Sequence, residues 1–189
     1  MTQEAAEKTA NEIMVLYSVH GGEEYAGEKV SQLEHMVQAA QLAEEQGYDE
    51  EVILAAFLHD IGHIVADAHG ENKMDEFGIM DHEAIGAEFL IEQGFSGKIA
   101  KLVASHVAAK RYLTRREPAY YDALSEASKR TLEFQGGIMS PEDADAFEKD
   151  PFFREIILMR RWDEQAKIEH KSLPDLNKYR TMIVHHLLS

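Results

Sequence analysis

The chain has 189 residues, of which 44% are hydrophobic, and a formal net charge of −16. This length suits one domain with a sizeable core, and the acidic surface repels nucleic acids and anionic lipids. Because no cysteine is present, disulfides, thiolate metal sites and cysteine nucleophiles are excluded, and any metal must be held by imidazole and carboxylate. No apolar run reaches the length of a membrane span, and the start does not resemble a signal peptide, so we expect a cytoplasmic protein with no membrane or nucleic-acid partner.

Hydrophobic periodicity predicts helices along nearly the whole chain. The first three cover residues 9–21, 31–47 and 49–63, and the third carries acids at its start and a continuous apolar body. The other predicted helices are residues 81–94, 96–113, 125–137, 140–150, 151–167 and 173–188. No segment alternates apolar and polar residues with a period of two. The sequence therefore predicts a single all-α domain over residues 1–189.

Residues 64–80 differ from the rest because they lack helical periodicity. We predict an irregular loop here, between two helices that carry histidines, and long loops in compact helical domains are often functional. Asp81, Ser96 and Ser140 are predicted to be the N-caps of the helices that follow them.

Ionisable residues recur inside the apolar parts of the predicted helices. Four histidines lie on different helices, and two aspartates border apolar stretches: His35, His59, His82, His106, Asp60 and Asp163. A lone histidine in such a place is usually a core residue, but burying six such groups without compensation would cost several kcal/mol each. Direct coordination of a metal offsets that cost. Neighbouring helical side chains diverge by about 100°, so His59 and Asp60 can approach a metal from different sides, and the carboxylate can bridge two ions.

The pattern of His35, the His59–Asp60 pair and Asp163 resembles the HD-domain superfamily, a helical metal-binding fold whose four core ligands match these residues. A finer resemblance lies in "YAGEKVSQLEH", "LAAFLHDIGH", "DHEAIGAEFL", "SHVAAKRYLT", "TLEFQGG" and "RRWDE". These stretches are similar to the 2-amino-1-hydroxyethylphosphonate dioxygenase family, which are mixed-valent diiron oxygenases with an HD domain. The similarity spans roughly residues 25–187, and inositol oxygenase is a more distant relative. The resemblance implies a helical bundle that encloses a dinuclear metal site.

The resemblance also implies the identity of the metal and its ligands. His35, His59, Asp60 and Asp163 would hold one iron, and Asp60 would bridge to a second iron completed by His82 and His106. The pair would be Fe(II)/Fe(III), with positions on the second iron left open for substrate and molecular oxygen.

Seven further residues acquire roles from the same resemblance. Tyr25 would cover the second iron at rest, and Glu28 would bind the substrate's ammonium group. His63 would be a catalytic residue together with these two. The residues implied to surround the phosphonate are His63, Lys110, Ser128, Thr131 and Arg160. His63 and Lys110 each follow a metal ligand by four residues, and Arg160 precedes Asp163 by three, so helical geometry places each of them near a ligand.

Other interpretations of these residues stay open from sequence alone. Lys110 and Arg160 could be ordinary surface residues, and Ser128 and Thr131 could bond to their own helix backbone. Tyr25 and Glu28 could form contacts typical of a helix start.

The implied reaction is the oxygen-dependent cleavage of (R)-2-amino-1-hydroxyethylphosphonate, a small organophosphonate, to glycine and phosphate. One alternative is an oxygenase of the same type acting on a related 1-hydroxyphosphonate such as the trimethylammonium analogue. Glu28 favours the primary amine, because a quaternary group prefers an aromatic cage. Two alternatives from other classes are an HD-domain phosphohydrolase and a metal-binding regulator without catalytic activity. The sequence does not fix the oligomeric state.

Overall fold

The computed structural model describes residues 1–25, 28–69 and 81–189, with only the backbone described for residues 67–69. These ranges contain no strand, apart from one antiparallel bridge between Glu24 and Ser31. The helices are α1 (Gln3–His20), α2 (Gln32–Glu45), α3 (Glu50–Leu58), α4 (Ile61–His69), α5 (His82–Glu92), α6 (Gly97–Arg116), α7 (Pro118–Ala123), α8 (Glu126–Phe134), α9 (Pro141–Phe147), α10 (Phe153–Gln165) and α11 (Asn177–Leu188). The predicted all-α class is confirmed. None of the described helices is both long and apolar enough to cross a membrane.

The short helix α3 lies at the centre of the bundle. Every side chain from Val52 to Leu58 is buried, as expected for a helix that is apolar on all sides. Helices α2, α6, α10 and α11 pack against α3, and α1 packs against α11. Because α3 ends at Leu58, the next two residues, His59 and Asp60, lie buried in the interior of the bundle.

Side-chain caps fix where several of these helices begin. Ser31 and Glu34 form a reciprocal capping box at the start of α2, one residue before His35. The predicted N-cap Ser96 accepts a hydrogen bond from the Ile99 amide. Asp81 also occupies an N-cap position, but it has a left-handed backbone (φ 58°) and its side chain makes no capping hydrogen bond.

Two predictions about elements were wrong. Residues 49–63 do not form one helix, because α3 and α4 are separate helices broken at His59 and Asp60. The predicted loop of residues 64–80 is helical as far as His69, and the remainder of it, residues 70–80, lies outside the described residues. Ile61 and Ile64, one turn apart, bury the inner face of α4. Because this apolar stripe begins at Ile61, before the predicted loop, the pattern within residues 64–80 alone does not show it.

Candidate active site

A first cluster of ligand-type side chains forms where α2, α10 and the end of α3 meet. It contains His35, His59 and Asp163, all of which are buried. The Nε2 atom of His35 lies 3.1 Å from Nε2 of His59 and 3.4 Å from Oδ1 of Asp163. These residues offer donor atoms that all lie within 4.8 Å of one another. The cluster is therefore a compact set of imidazole and carboxylate donors.

A second cluster lies beside the first and is built from α5 and α6. His82 is the first residue of α5, and His106 lies in the interior of α6. Their Nε2 atoms are 3.0 Å apart, and both side chains are buried. The second cluster thus places two imidazoles from neighbouring helices against each other.

Asp60 joins the two clusters from the break between α3 and α4. Its Oδ2 atom lies 3.5 Å from Nε2 of His35 and 3.3 Å from Nε2 of His59. Its Oδ1 atom lies 3.4 Å from Nε2 of His82 and 3.3 Å from Nε2 of His106. One carboxylate oxygen therefore faces each cluster, which is the arrangement that a carboxylate bridging two ions requires.

The donor set fits two metal ions. Three histidines point Nδ1 at backbone oxygens 2.7–3.0 Å away, namely Ala166 for His35, Ala56 for His59 and Val103 for His106. Their Nε2 lone pairs then face one another, which is unfavourable unless a cation lies among them. Adjacent ligands of an ion with bonds of about 2.1 Å lie roughly 3.0–3.4 Å apart in octahedral or tetrahedral coordination, close to the observed spacing. In the described part of the chain, both oxygens of Asp60 are buried without a hydrogen bond.

The pKa values of the clustered imidazoles and carboxylates make metal binding depend on pH. Burial lowers the pKa of His59, but the neighbouring Asp60 carboxylate outweighs it and raises this pKa to about 9. Burial would raise the pKa of Asp60, yet His59 and the other imidazoles hold it well below its usual range. Metal ions must therefore displace protons from the cluster, so metal binding weakens as pH falls.

A small cavity, lined mostly by polar residues, opens onto the two clusters. Its wall contains the ligand-type residues His82, His106 and Asp163. The same wall contains all seven residues to which the sequence resemblance gives substrate-side roles: Tyr25, Glu28, His63, Lys110, Ser128, Thr131 and Arg160. The structure thus brings the whole predicted set together, and the role of each residue stays a prediction.

Lys110 is a buried amine with no carboxylate partner in the described parts of the chain. Its side chain is 2% exposed, which rules out a surface role. Its Nζ atom donates to Oγ1 of Thr131 at 2.8 Å, and within the described residues it forms no ion pair. Burial, helped by the charge of Arg160, lowers the pKa of Lys110 to about 7. A bound anion would compensate this charge.

Arg160 is also buried, at 4% exposure, and it is heavily engaged. Its guanidinium donates to Asp163 and Glu164, and its Nε donates to the Tyr120 hydroxyl at 2.9 Å. Burial works against the charge on both partners, but Arg160 keeps the pKa of Asp163 well below its usual range. Arg160 therefore positions Asp163 in addition to lining the cavity.

Two aromatic contacts connect the cavity wall with the clusters. The Tyr25 ring stacks on His35 with centroids 3.9 Å apart, and His63 stacks on His82 at the same separation. Burial raises the pKa of Tyr25, and the carboxylates of Asp163 and Asp60 raise it further. Burial and the charge of His82 lower the pKa of His63 well below its usual value. His63 also belongs to a group of potential metal donors with Asp60 and His82.

Sequence reasoning missed two polar residues of the cavity wall, Lys167 and Gln135. Lys167 donates to Oε1 of Glu28 at 2.8 Å. The Oε1 atom of Gln135 is buried and makes no hydrogen bond with any described residue. Lys167 follows Asp163 by four residues, but α10 ends at Gln165, so helical spacing does not account for the position of Lys167.

Gly62 allows α5 to approach the centre closely. A Cβ atom at Gly62 would lie 1.8 Å from the backbone oxygen of His82 and 2.9 Å from the nitrogen of Gly86. We expect Gly62→Ala to push the start of α5 outward, carry His82 away from Asp60 and lower the amount of metal that the protein binds. Metal analysis and thermal melting measure this effect. Gly97→Ala is the control, since a Cβ there meets nothing within 4 Å, and equal metal content in the two variants would contradict the argument.

Comparison with known proteins shows the family of this chain. Residues 33–147 match the model of the HD domain family. This chain belongs to the HD-domain family, whose name describes the adjacent His59 and Asp60.

Three relatives are similar to this chain over 80% or more of their own length. It is 44% identical over 168 residues to [1-hydroxy-2-(trimethylamino)ethyl]phosphonate dioxygenase (glycine-betaine-forming) of Leisingera caerulea, covering 89% of this chain and 85% of the relative. It is 41% identical over 163 residues to hydroxymethylphosphonate dioxygenase of Gimesia maris, covering 86% and 80%. An uncharacterized protein of Acanthamoeba polyphaga mimivirus is 46% identical over 180 residues, covering 95% and 82%.

Proposed function

We propose that this protein uses molecular oxygen to cleave the carbon–phosphorus bond of a 1-hydroxyalkylphosphonate. The observation that supports this proposal most is that one cavity is faced by two bridged donor clusters and by the buried Lys110, which has no ion-pair partner among the described residues. The names of two relatives, both phosphonate dioxygenases, support the same reaction class. We further propose that residues 1–189 act as one domain, since α1 and α11 share the core of α3.

Two iron ions are the proposed cofactor. His35, His59 and Asp163 would hold one, His82 and His106 the other, and Asp60 both. Imidazole and carboxylate suit iron but also suit manganese, zinc and nickel. Bound as an Fe(II)/Fe(III) pair, the irons would supply the oxygen-dependent oxidation of the carbon that carries phosphorus.

The chain's own residues would bind and orient the substrate. The Lys110 ammonium would pair with the phosphonate, and Ser128 and Thr131, which line the same cavity, would contact the same group. Arg160 would add positive charge while it holds Asp163 in place. Tyr25, stacked on His35, would exclude water from the centre until substrate enters.

The proposed substrate is (R)-2-amino-1-hydroxyethylphosphonate, which would give glycine and phosphate. Glu28 supports a primary amine, because its carboxylate lines the cavity and accepts hydrogen bonds. The trimethylammonium analogue is the second candidate. Quaternary ammonium groups prefer to bind among several aromatic rings. Among the described residues of the cavity wall, Tyr25 is the one Phe, Tyr or Trp ring, which argues against this second candidate.

A metal panel distinguishes this proposal from a phosphohydrolase of the same fold. Protein loaded with iron, zinc or manganese is assayed for phosphate release from 1-hydroxyphosphonates and from phosphate monoesters. We expect release only from the hydroxyphosphonates and only with iron. Release from monoesters with zinc or manganese would instead establish a hydrolase.

Glu28 is expected to determine the preference for the amino group. Glu28→Gln should lower kcat/KM for (R)-2-amino-1-hydroxyethylphosphonate by roughly 10- to 100-fold, the scale of one charge-assisted hydrogen bond. It should change kcat/KM little for (R)-1-hydroxyethylphosphonate, which lacks the amine. Glu44→Gln is the matched control, because Glu44 also pairs with a lysine but lies outside the cavity wall. Equal losses on both substrates would show that Glu28 does not recognise the amine.

A further inference from the structure

Lys167 is held in position by backbone contacts on both sides. The carbonyl of Ala166 receives the hydrogen bond from Nδ1 of His35 at 3.0 Å. The backbone of Ile168 is clamped by the Gln38 amide, which donates to its carbonyl and accepts from its N–H, both at 3.0 Å. The backbone of Lys167 is therefore held in place beside the first cluster, although Lys167 lies beyond the end of α10.

The side chain of Lys167 extends into the cavity rather than into solvent. It is 15% exposed, and its Nζ atom lies 2.8 Å from Oε1 of Glu28 and 3.9 Å from Oε2 of Glu164. Nζ also lies 6.0 Å from the centroid of the Tyr25 ring. Apart from Asp163, Glu28 is the one carboxylate among the described residues of the cavity wall. The carboxylate suited to a substrate amine is thus already paired with an ammonium of the protein.

We infer that Lys167 is a specificity-determining residue that competes with the substrate's amino group for Glu28. This inference rests on the proposed function. A 1-hydroxyphosphonate without an amine leaves the Lys167–Glu28 pair intact, whereas an amino-substituted one must displace Lys167 from it. Glu164 offers the displaced ammonium a second acceptor. Lys167 therefore lowers the preference of the cavity for amino-substituted substrates below what Glu28 alone would give.

The test compares two ligands by calorimetry on iron-loaded protein without oxygen, so that binding is measured without turnover. The ligands are (R)-2-amino-1-hydroxyethylphosphonate and (R)-1-hydroxyethylphosphonate. Lys167→Met should shift the ratio of their affinities toward the amino compound by about tenfold. Loss of one positive charge weakens both phosphonates alike and cancels in this ratio. Lys167→Arg, which keeps the pair, and Lys178→Met, which removes a lysine paired with Glu44 on α11, should retain the parent's ratio.

A double-mutant cycle isolates the pair itself. In a Glu28→Gln background, Lys167→Met should no longer change the ratio, because no carboxylate remains to compete for. An unchanged ratio in Lys167→Met, with both ligands bound, would overturn the role of Lys167 and leave the proposed function standing. If neither ligand binds to the parent protein, the proposed function fails, and the inference fails with it.

Discussion

Asp60→Asn is expected to empty the whole metal centre. The asparagine keeps the size of the side chain but replaces one carboxylate oxygen by an NH₂ group that cannot coordinate. Because one oxygen of Asp60 faces His35 and His59 and the other faces His82 and His106, one cluster loses its donor and the other keeps only a neutral amide oxygen in place of a carboxylate. Loss of residues that merely orient metal ligands already costs 10- to 100-fold, so we expect activity to fall by more than about a thousandfold.

Metal analysis of iron-reconstituted protein measures this effect. His106→Ala is the matched comparison, because it removes a donor from the second cluster alone and should leave about one ion per chain. Circular dichroism shows whether each variant keeps its helices. Two ions per chain in folded Asp60→Asn would contradict the bridging role.

Lys110→Met is expected to weaken substrate binding and to stabilise the metal-free protein. Lys110 is nearly fully buried and has no ion-pair partner among the described residues. Its loss should raise the Kd of the hydroxyphosphonate by roughly 10- to 150-fold, as for a hydrogen bond to a charged group. Methionine fills a similar volume without bringing a charge into the core.

The stability gain should depend on pH in a definite direction. The pKa of Lys110 is about 7 in the folded protein and about 10.4 in an unfolded chain. The unfolded parent therefore binds more protons between these values, and its free energy of unfolding rises with pH across this window. Lys110→Met removes this dependence, so its gain in Tm should be largest at pH 6 and small near pH 10. A gain independent of pH would show that Lys110 is not a strained buried charge.

The sequence was sufficient to predict which ionisable residues come together, and their roles stay predictions. All six predicted metal ligands converge on one centre, and Lys110 and Arg160 lie one helical turn from ligands, as their spacing implies. Both proved to be buried, so the surface interpretation was wrong for them.

The features that the sequence did not predict depend on contacts between distant parts of the chain. No glycine or proline precedes the break between α3 and α4 at His59 and Asp60. Its role is visible only in the structure, where Asp60 contacts both clusters. The position of Lys167 depends on Gln38, 130 residues from the Ile168 backbone that it clamps. Gly62 fits a pattern of ordinary helix residues, and only the approach of α5 explains why no side chain is tolerated there.

The central claim is that the cavity supports oxidative cleavage of a carbon–phosphorus bond. The most direct test follows oxygen consumption and phosphate release together, in iron-loaded protein supplied with (R)-2-amino-1-hydroxyethylphosphonate. We predict one molecule of oxygen consumed per phosphate released, glycine as the other product, and no phosphate without oxygen. Phosphate release at an undiminished rate under anaerobic conditions, or release without oxygen uptake, would contradict the oxygenase assignment.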